Sequence, residues 1–516
     1  MKEFFPDYPM MIKDANFPES VVQREDFERI HFESAFTAQH FRETASIIIS
    51  QLEAYLADES VRGLDLKNPL ELTEEARGLM SASPSRNGSP DFDTERLRSI
   101  VDLYIRTGIQ VHSSGVMGRQ FSGILPLAGL VDMVGAIVNQ PSSFYEAGQL
   151  PNVAEHILAE EFGKLIGWTP NQFDMVSTSG GSLANLTAIL SARNKRYPEL
   201  WSKGYGQLKN KGLPAIAIGS NGHYSITRAV GMLGIGEEQI IRLPLNDTFQ
   251  IDINQVTPTL EKAKQNGLDV FCIVAAAGST DTGSFDPFWE LADIAKQHDC
   301  WLHVDGAHGG SLLLSDKLRP RLKGLEKVDS LIIDAHKMLF VPSPCTLLFY
   351  KDKTYSKIAF RQQASYVFEN EPDIYTLFDG AEKNFECTKR PAIMNLWVSW
   401  ALYGPKLFAE KIEYLCDLGL RFHDLLLQQP DFTALHQPEA NIVCFRYTPH
   451  LMTDDQLDKL QIMIRDRIKA DGIYFISKTD IDGISALRVV FMNHKATLQH
   501  CRMLLDRIRK LAPDFS

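Results

Sequence analysis

The sequence predicts an α/β protein: a large, mainly parallel sheet covered by helices on both faces, with a helical segment before it and a smaller α+β domain after it. Three observations carry this expectation. From about Asp91 to Asp379, short apolar runs alternate with segments of helical periodicity, the pattern of a sheet whose strands are joined by crossover helices. Before that stretch, the chain has mostly helical spacing and runs into a Ser/Pro/Gly/Asn-rich linker, SASPSRNGSPDFD. After Asn395 the alternation stops, and long helical stretches lead into two further strand-like runs. The boundaries that follow are 1–90, 91–395 and 396–516.

In the first segment, FTAQHFRETASIIISQLEAYLAD places apolar residues at helical spacing, and Ser60 to Asn68 reads as a connector. An amphipathic segment of this kind needs a surface to cover its apolar stripe. In the second, the runs DMVSTS, PAIAIGS, DVFCIVAAA, CWLHVD, SLIIDA and CTLLFY are the strands. Sheets of this architecture bind ligands beyond the carboxyl ends of their strands, and most of the chemistry-bearing residues directly follow these runs. In the third, LWVSWALYGPKLFAEKIEYLCDLGLRFHDLLLQ is helical, ANIVCFRYTP and ALRVVFMN are strands, and ATLQHCRMLLDRIRKL closes the chain as a helix.

Composition narrows the function classes. A chain of 516 residues with 44% hydrophobic and 23% charged residues is that of a globular protein with more than one packed region. Its 53 basic and 65 acidic side chains give a formal charge of −12, and no basic run marks a nucleic-acid partner. Seven cysteines without a C-x-x-C pair fit reduced, mostly buried thiols rather than a disulfide framework or a zinc site, so no metal is expected. The segment ILPLAGLVDMVGAIV is too short for a membrane span and carries Asp132, and the N-terminal residues lack the apolar core of a signal peptide. These features lead to the expectation of a cytoplasmic protein.

The chemistry concentrates between Trp301 and Lys337. WLHVDGAHGG and LIIDAHKMLF are two apolar runs ending in charged residues, so adjacent strands deliver Asp305 and Lys337 to one end of the sheet. Either residue alone serves equally well as a turn cap or a surface lysine. Together they are what pyridoxal phosphate requires, a lysine for its aldehyde and an acid for its ring nitrogen. STSGGSLANLTAIL adds a strand-to-helix turn through Ser179, Gly180, Gly181 and Ser182, where exposed amides can hold a phosphate.

HVDGAHGG followed by DAHK resembles the group II pyridoxal-phosphate-dependent amino-acid decarboxylases, relatives of glutamate, cysteine sulfinate, diaminobutyrate and aromatic amino-acid decarboxylases. The likeness runs from roughly Thr107 to Leu511 and implies fold type I, the aspartate aminotransferase-like fold. It implies that Lys337 carries the cofactor and Asp305 meets its ring nitrogen. By the same likeness, the Ser179–Ser182 loop holds the phosphate, with His336 nearby. In the H-Y-S pattern of SNGHYSITRA, His223 stacks on the ring opposite Ala307 and can also take part in proton transfer. Thr280, in AAAGSTDTGSFDP, is implied near the ring or its anchoring acid. SYVFE matches a loop whose tyrosine, here Tyr366, returns a proton to the substrate.

ALRVVFMNHKAT matches a family stretch in which Arg488 binds a substrate carboxylate, with His494 where proline is usual. HSSGVMGRQFSG puts His112 and Gln120 where the family shapes its substrate pocket. Asp334 departs from the common asparagine three residues before the lysine, and a carboxylate is repelled by phosphate unless protonated or turned away. It is therefore left out of the phosphate site. The resemblance implies a homodimer, with the N-terminal segment wrapped on the other subunit, acting as an L-amino-acid α-decarboxylase on glutamate, aspartate, cysteine sulfinate or 2,4-diaminobutyrate. An aminotransferase or carbon–carbon lyase shares fold and cofactor, and a non-catalytic binding protein is disfavoured because the lysine and the aspartate are both present.

Overall fold

The computed structural model describes residues 33–81, 92–208, 212–360, 378–449 and 452–512. The chain divides into two units, residues 1–58 with 67–106, and residues 59–66 with 107–516.

The first unit is helical. Its α1 (Ala38–Ala57) starts at Thr37, whose hydroxyl accepts the His40 amide, and is followed by α2 (Pro69–Ser81) and α3 (Thr94–Arg106). Gln51 of α1 donates to the Arg98 carbonyl of α3 at 2.9 Å, and the His40 ring meets Phe92 edge-on at 4.5 Å. Only Ile47 of α1 is buried, while Phe41, Ile49 and Leu52 stay exposed.

The second unit opens with α4 (Pro126–Val138) and α5 (Gln149–Ile166), then alternates strand and helix. The succession is β1 (Asp174–Thr178), α6 (Gly181–Arg196), β2 (Leu213–Gly219), α7 (Tyr224–Met232), β3 (Ile240–Leu243), α8 (Ile253–Gln265) and β4 (Leu268–Ala276). It continues with α9 (Phe288–Gln297), β5 (Trp301–Asp305), β6 (Ser330–Asp334) and β7 (Thr346–Tyr350). These strands form one seven-stranded sheet in the order β1-β7-β6-β5-β4-β2-β3, parallel except for β7, which is antiparallel to both neighbours.

Period-two alternation sends successive side chains to opposite faces. One face takes Ile273, Leu302, Val304, Leu331, Ile333 and Phe349, and the other takes Cys272, Val274, Trp301, Ile332, Leu348 and Tyr350. Both sets are buried, which explains why the strands read as unbroken apolar runs. Each such side chain contributes about 1.5–3 kcal/mol by leaving water.

The chain ends in a smaller antiparallel sheet with its helices. After α10 (Ile393–Leu427) come β8 (Phe432–Ala434), β9 (Ile442–Tyr447), α11 (Asp454–Asp471), β10 (Ser477–Ile481), β11 (Ile484–Val490) and α12 (Leu498–Leu511). The strand order is β8-β9-β11-β10, and the inner residues of this sheet join the core on one face of the large sheet. α10 kinks at Gly404, whose φ of 70° and ψ of 170° leave the helical region just before Pro405. The connector Ser60–Asn68 holds a two-residue bridge, Leu64–Asp65 against Gly108–Ile109. No helix among the described residues is long and apolar enough to cross a membrane.

Candidate active site

Strands β5 and β6 are neighbours in parallel register, with Asp305 opposite Ile332. Asp305 therefore closes one strand beside the end of the other, and Lys337 follows Asp334 in the turn after β6. A cavity of about 280 Å³ opens at these carboxyl ends. Lining it are Ser179, Gly180, Gly181, Ser182, His223, Thr280, Asp305, Ala307, His336 and Lys337, brought together from five separate stretches of sequence.

One wall of it is built by the passage from β1 into α6. Gly180 has φ 107° and ψ 158°, a conformation that L side chains rarely adopt, so the chain can turn there only on glycine. The helix then starts without a side-chain cap. The amides that bond back to the Gly180 carbonyl are those of Leu183 and Ala184, which leaves the Gly181 and Ser182 N–H groups for an anion. The Ser179 hydroxyl donates instead to Glu386, at 2.6 Å. Behind the turn, buried Lys389 bonds to Glu155 at 3.1 Å and to the carbonyl and hydroxyl of Ser177, pinning the end of β1.

Asp334 lies against this turn. A Cβ added to Gly181 would come within 2.9 Å of Asp334 Oδ1. Its carboxylate is fully engaged: Thr346 donates to Oδ1 at 2.5 Å, Lys337 Nζ lies 3.0 Å from Oδ2, and His336 Nε2 lies 3.6 Å from it. Burial pushes this carboxyl up, but the Lys337 and His336 charges with the Thr346 bond outweigh burial and hold it below the usual carboxylate range. Three neighbours therefore hold this carboxylate, and Lys337 is its ion-pair partner.

Asp305 accepts from Asn185 Nδ2 at 2.9 Å and from the Ala307 amide at 3.2 Å. His223 caps α7, with Nδ1 on Ser225 at 2.8 Å, and burial in the cavity wall holds its ring below the usual histidine range. Thr280 lines the cavity at an exposed position. Arg488, Gln120 and His112 do not line it. Arg488, on β11, is buried and donates through Nε to the Asp281 carbonyl at 3.1 Å, while its Nη2 has no partner among the described residues. Gln120 Nε2 is a second buried donor without a partner there. Ser477, paired with Arg488 across the sheet, accepts the Arg119 amide at 2.9 Å, so Gln120 and Arg488 belong to one neighbourhood. His112 lies beside His494 and Lys495, and burial first, then their charges, hold it down to about 4. Tyr366 lies outside the described residues.

Two functional candidates escaped the sequence reading. Asn185 bonds directly to Asp305, yet an asparagine one turn into a helix carries no local signal. His308 lines the cavity, buried, with Nε2 on Asn441 Oδ1 at 2.7 Å and no partner for Nδ1 among the described residues. Burial, with the charges of Lys337 and Arg488, brings it to about 3.

The donor set fits pyridoxal phosphate. It offers an amine and a carboxylate at adjacent strand ends, amides at a helix start, and a histidine and an alanine available to flank a ring. Fold and site define a pyridoxal-phosphate enzyme of fold type I. The model of the pyridoxal-dependent decarboxylase conserved domain matches residues 88–448, and the chain belongs to that family of carboxy-lyases. Solved structures share the fold. Mouse CSAD is 23% identical, with 92% of this chain and 98% of that chain covered at a TM-score of 0.83. The glutamate decarboxylase domain of diaminobutyrate-pyruvate transaminase and L-2,4-diaminobutyrate decarboxylase from Vibrio parahaemolyticus is 23% identical, covering 91% and 95% at 0.77. Oryza sativa TDC with pyridoxal phosphate and tryptamine is 20% identical, covering 92% and 98% at 0.82.

Proposed function

We propose that the protein is an L-amino-acid α-decarboxylase that turns an acidic or short polar amino acid, namely glutamate, aspartate, cysteine sulfinate or 2,4-diaminobutyrate, into its amine and carbon dioxide. The observation that carries the reading is the meeting of Lys337, Asp305, His223 and the uncapped start of α6 around one cavity at the strand ends. When bound, pyridoxal phosphate supplies an electron sink for the bond that breaks.

The residues divide the remaining work. Lys337 would hold the cofactor through its aldehyde. Asp305 keeps a proton on the ring nitrogen, and His223 and Ala307 flank the ring. The amides of Gly181 and Ser182, with Ser179 and His336, receive the phosphate, and Thr280 borders the ring. The unpartnered donors of Arg488 and Gln120 suit a substrate carboxylate, with His112 shaping the same side. Tyr366 or His223 returns the proton to the α-carbon.

A homodimer and a cytoplasmic location belong to this reading. Leu130, Val134 and Ile137 form an exposed apolar row at helical spacing on α4, which suits a surface that meets a second copy. All seven cysteines are free, which suits a reducing compartment. The three sequence regions, 1–90, 91–395 and 396–516, remain our assignment of a dimerisation segment, a cofactor domain and a small domain.

The test is to feed the purified, loaded protein the four amino acids labelled in the α-carboxyl carbon. Labelled carbon dioxide with an equimolar amine is the expected result for at least one. An oxo acid that keeps the label would overturn the reading in favour of an aminotransferase, and no turnover of any of the four would overturn the substrate class.

A further inference from the structure

Trp301, His303 and Asp305 share one face of β5, because strand side chains alternate. That face is covered by α6, which sets Asn185 over it. The polar groups there form a single directed network. A carboxylate can only accept, so the 2.9 Å contact between Asn185 and Asp305 Oδ2 makes the Asn185 nitrogen the donor. The second proton of that nitrogen goes to Ser225 Oγ, also at 2.9 Å. The Asn185 oxygen is then an acceptor and takes the proton on His303 Nε2, at 2.9 Å. His303 Nδ1 must accept from Ser330 Oγ at 2.8 Å, and Ser330 accepts the Trp301 indole proton at 2.8 Å.

On the other branch, Ser225 Oγ accepts from Asn185, and because the Ser225 amide already donates to His223 Nδ1, that nitrogen is an acceptor and takes the Ser225 hydroxyl proton, at 2.8 Å. The Ser225 amide points at the same nitrogen from 3.3 Å. Nδ1 of His223 is therefore bare, and the ring carries its proton on Nε2. Each donor finds an acceptor and the directions agree throughout. Asn185, His303 and Ser330 are buried, so a broken link would leave an unpaired polar group in the core.

We propose that Asn185 is a positioning residue that couples the acid of the site to its histidine: one amide proton fixes Asp305 as an oriented carboxylate, and the other, through Ser225, fixes His223 as the tautomer bearing its proton on Nε2. His303, Ser330 and Trp301 hold the Asn185 amide in the orientation this requires. The proposal rests on the roles given above to Asp305 and His223. It adds that the proton available to a substrate sits on His223 Nε2.

The test follows the histidine ring nitrogens by ¹⁵N NMR in ¹⁵N-histidine-labelled protein without cofactor, with His223→Gln to identify the resonance. It also measures the dissociation constant for pyridoxal phosphate. Besides Ser225, the charged groups facing His223 are Asp305, Lys337, Asp334 and Arg228, so its titration is compared among variants that keep all of them. In the unmodified chain, His223 should be the neutral Nε2–H form at neutral pH. Ser225→Ala should give a mixture of tautomers and a higher titration midpoint. Asn185→Ala should do the same and also weaken pyridoxal phosphate binding roughly tenfold, the size expected when a charged group loses a buried hydrogen bond.

An Nδ1–H form of His223 in the unmodified chain overturns the proposal. So does a folded Asn185→Ala protein with unchanged titration and unchanged affinity. If Asn185→Ala does not fold, the Ser225→Ala spectra decide. Asp305→Asn separates the two levels of argument: unchanged cofactor affinity in that variant counts against the assigned role of Asp305, while the His223 tautomer still judges the coupling.

Discussion

Lys337 Nζ lies 3.0 Å from Asp334 Oδ2, and Asp334 is also held by Thr346 and faced by His336. Attachment of a cofactor to that amine exchanges an ion pair for a covalent bond. The Thr346 hydroxyl and the His336 ring stay beside the carboxylate. Lys337→Ala keeps Asp334 and the cavity but removes the amine. We expect the variant to lose both the visible absorbance that pyridoxal phosphate gives the protein and the covalent label fixed by borohydride. A peptide map showing equal labelling at another lysine would sink the assignment. Asp305→Asn preserves shape and can still accept from Asn185, but it cannot hold a proton on a ring nitrogen by charge. We expect activity to fall by at least about 10²-fold, the size of a lost electrostatic contact in a reacting site. A near-normal rate would make Asp305 structural.

At the scale of elements, the decisive one is the turn from β1 into α6. Gly180 sits at a positive φ, and an added Cβ would meet only Pro344 Cβ at 3.7 Å, an ordinary contact. Gly180→Ala is therefore costly through the backbone and not through crowding, by about 1–3 kcal/mol. The chain would relieve that strain by shifting the turn, so pyridoxal phosphate affinity should drop along with the melting temperature. A variant that melts lower yet binds the cofactor normally would argue against phosphate at this turn. The same elements show what the sequence made legible. Strands β1, β2, β4, β5, β6 and β7 were readable because both faces are buried and their apolar runs are unbroken. The short edge strands β3, β8 and β10 were not, since Ile240–Leu243, Phe432–Ala434 and Ser477–Ile481 are brief or mixed with polar residues. Residues at strand ends stood out, but Asn185 did not, because its meaning comes from α6 lying across β5. One signal was available: in WLHVD the alternation places His303 on the same face as Asp305, and a histidine inside an apolar strand needs a partner.

For the molecule as a whole, buried histidines set how stability depends on acid. Burial foremost holds His112 and His303 at about 4 and His308 at about 3, against 6.5 for an ordinary ring. Between those limits the unfolded chain binds protons that the folded chain refuses, so folding stability falls as pH drops from about 6.5 toward 4. Asp286 acts in the opposite sense. Burial raises its carboxyl to about 7, although backbone amides of Ile251 and Ala276 donate to it at 2.7 Å, so the folded state holds a proton there that the unfolded chain releases. Burial also lowers the rings of His223, His436 and His494 and raises the carboxyls of Asp329, Asp379 and Glu439, so six rings stand against four carboxyls and the unfolded state holds the larger proton count near pH 5. In protein without cofactor, the melting temperature should therefore decline from pH 7 to pH 5, and calorimetry in buffers of different ionisation heat should show net proton uptake on unfolding. His308→Gln removes one of these titrations and should flatten the decline. A melting temperature independent of pH over that range, or the same slope in the variant, would mean that these rings do not hold their protons off in the folded protein.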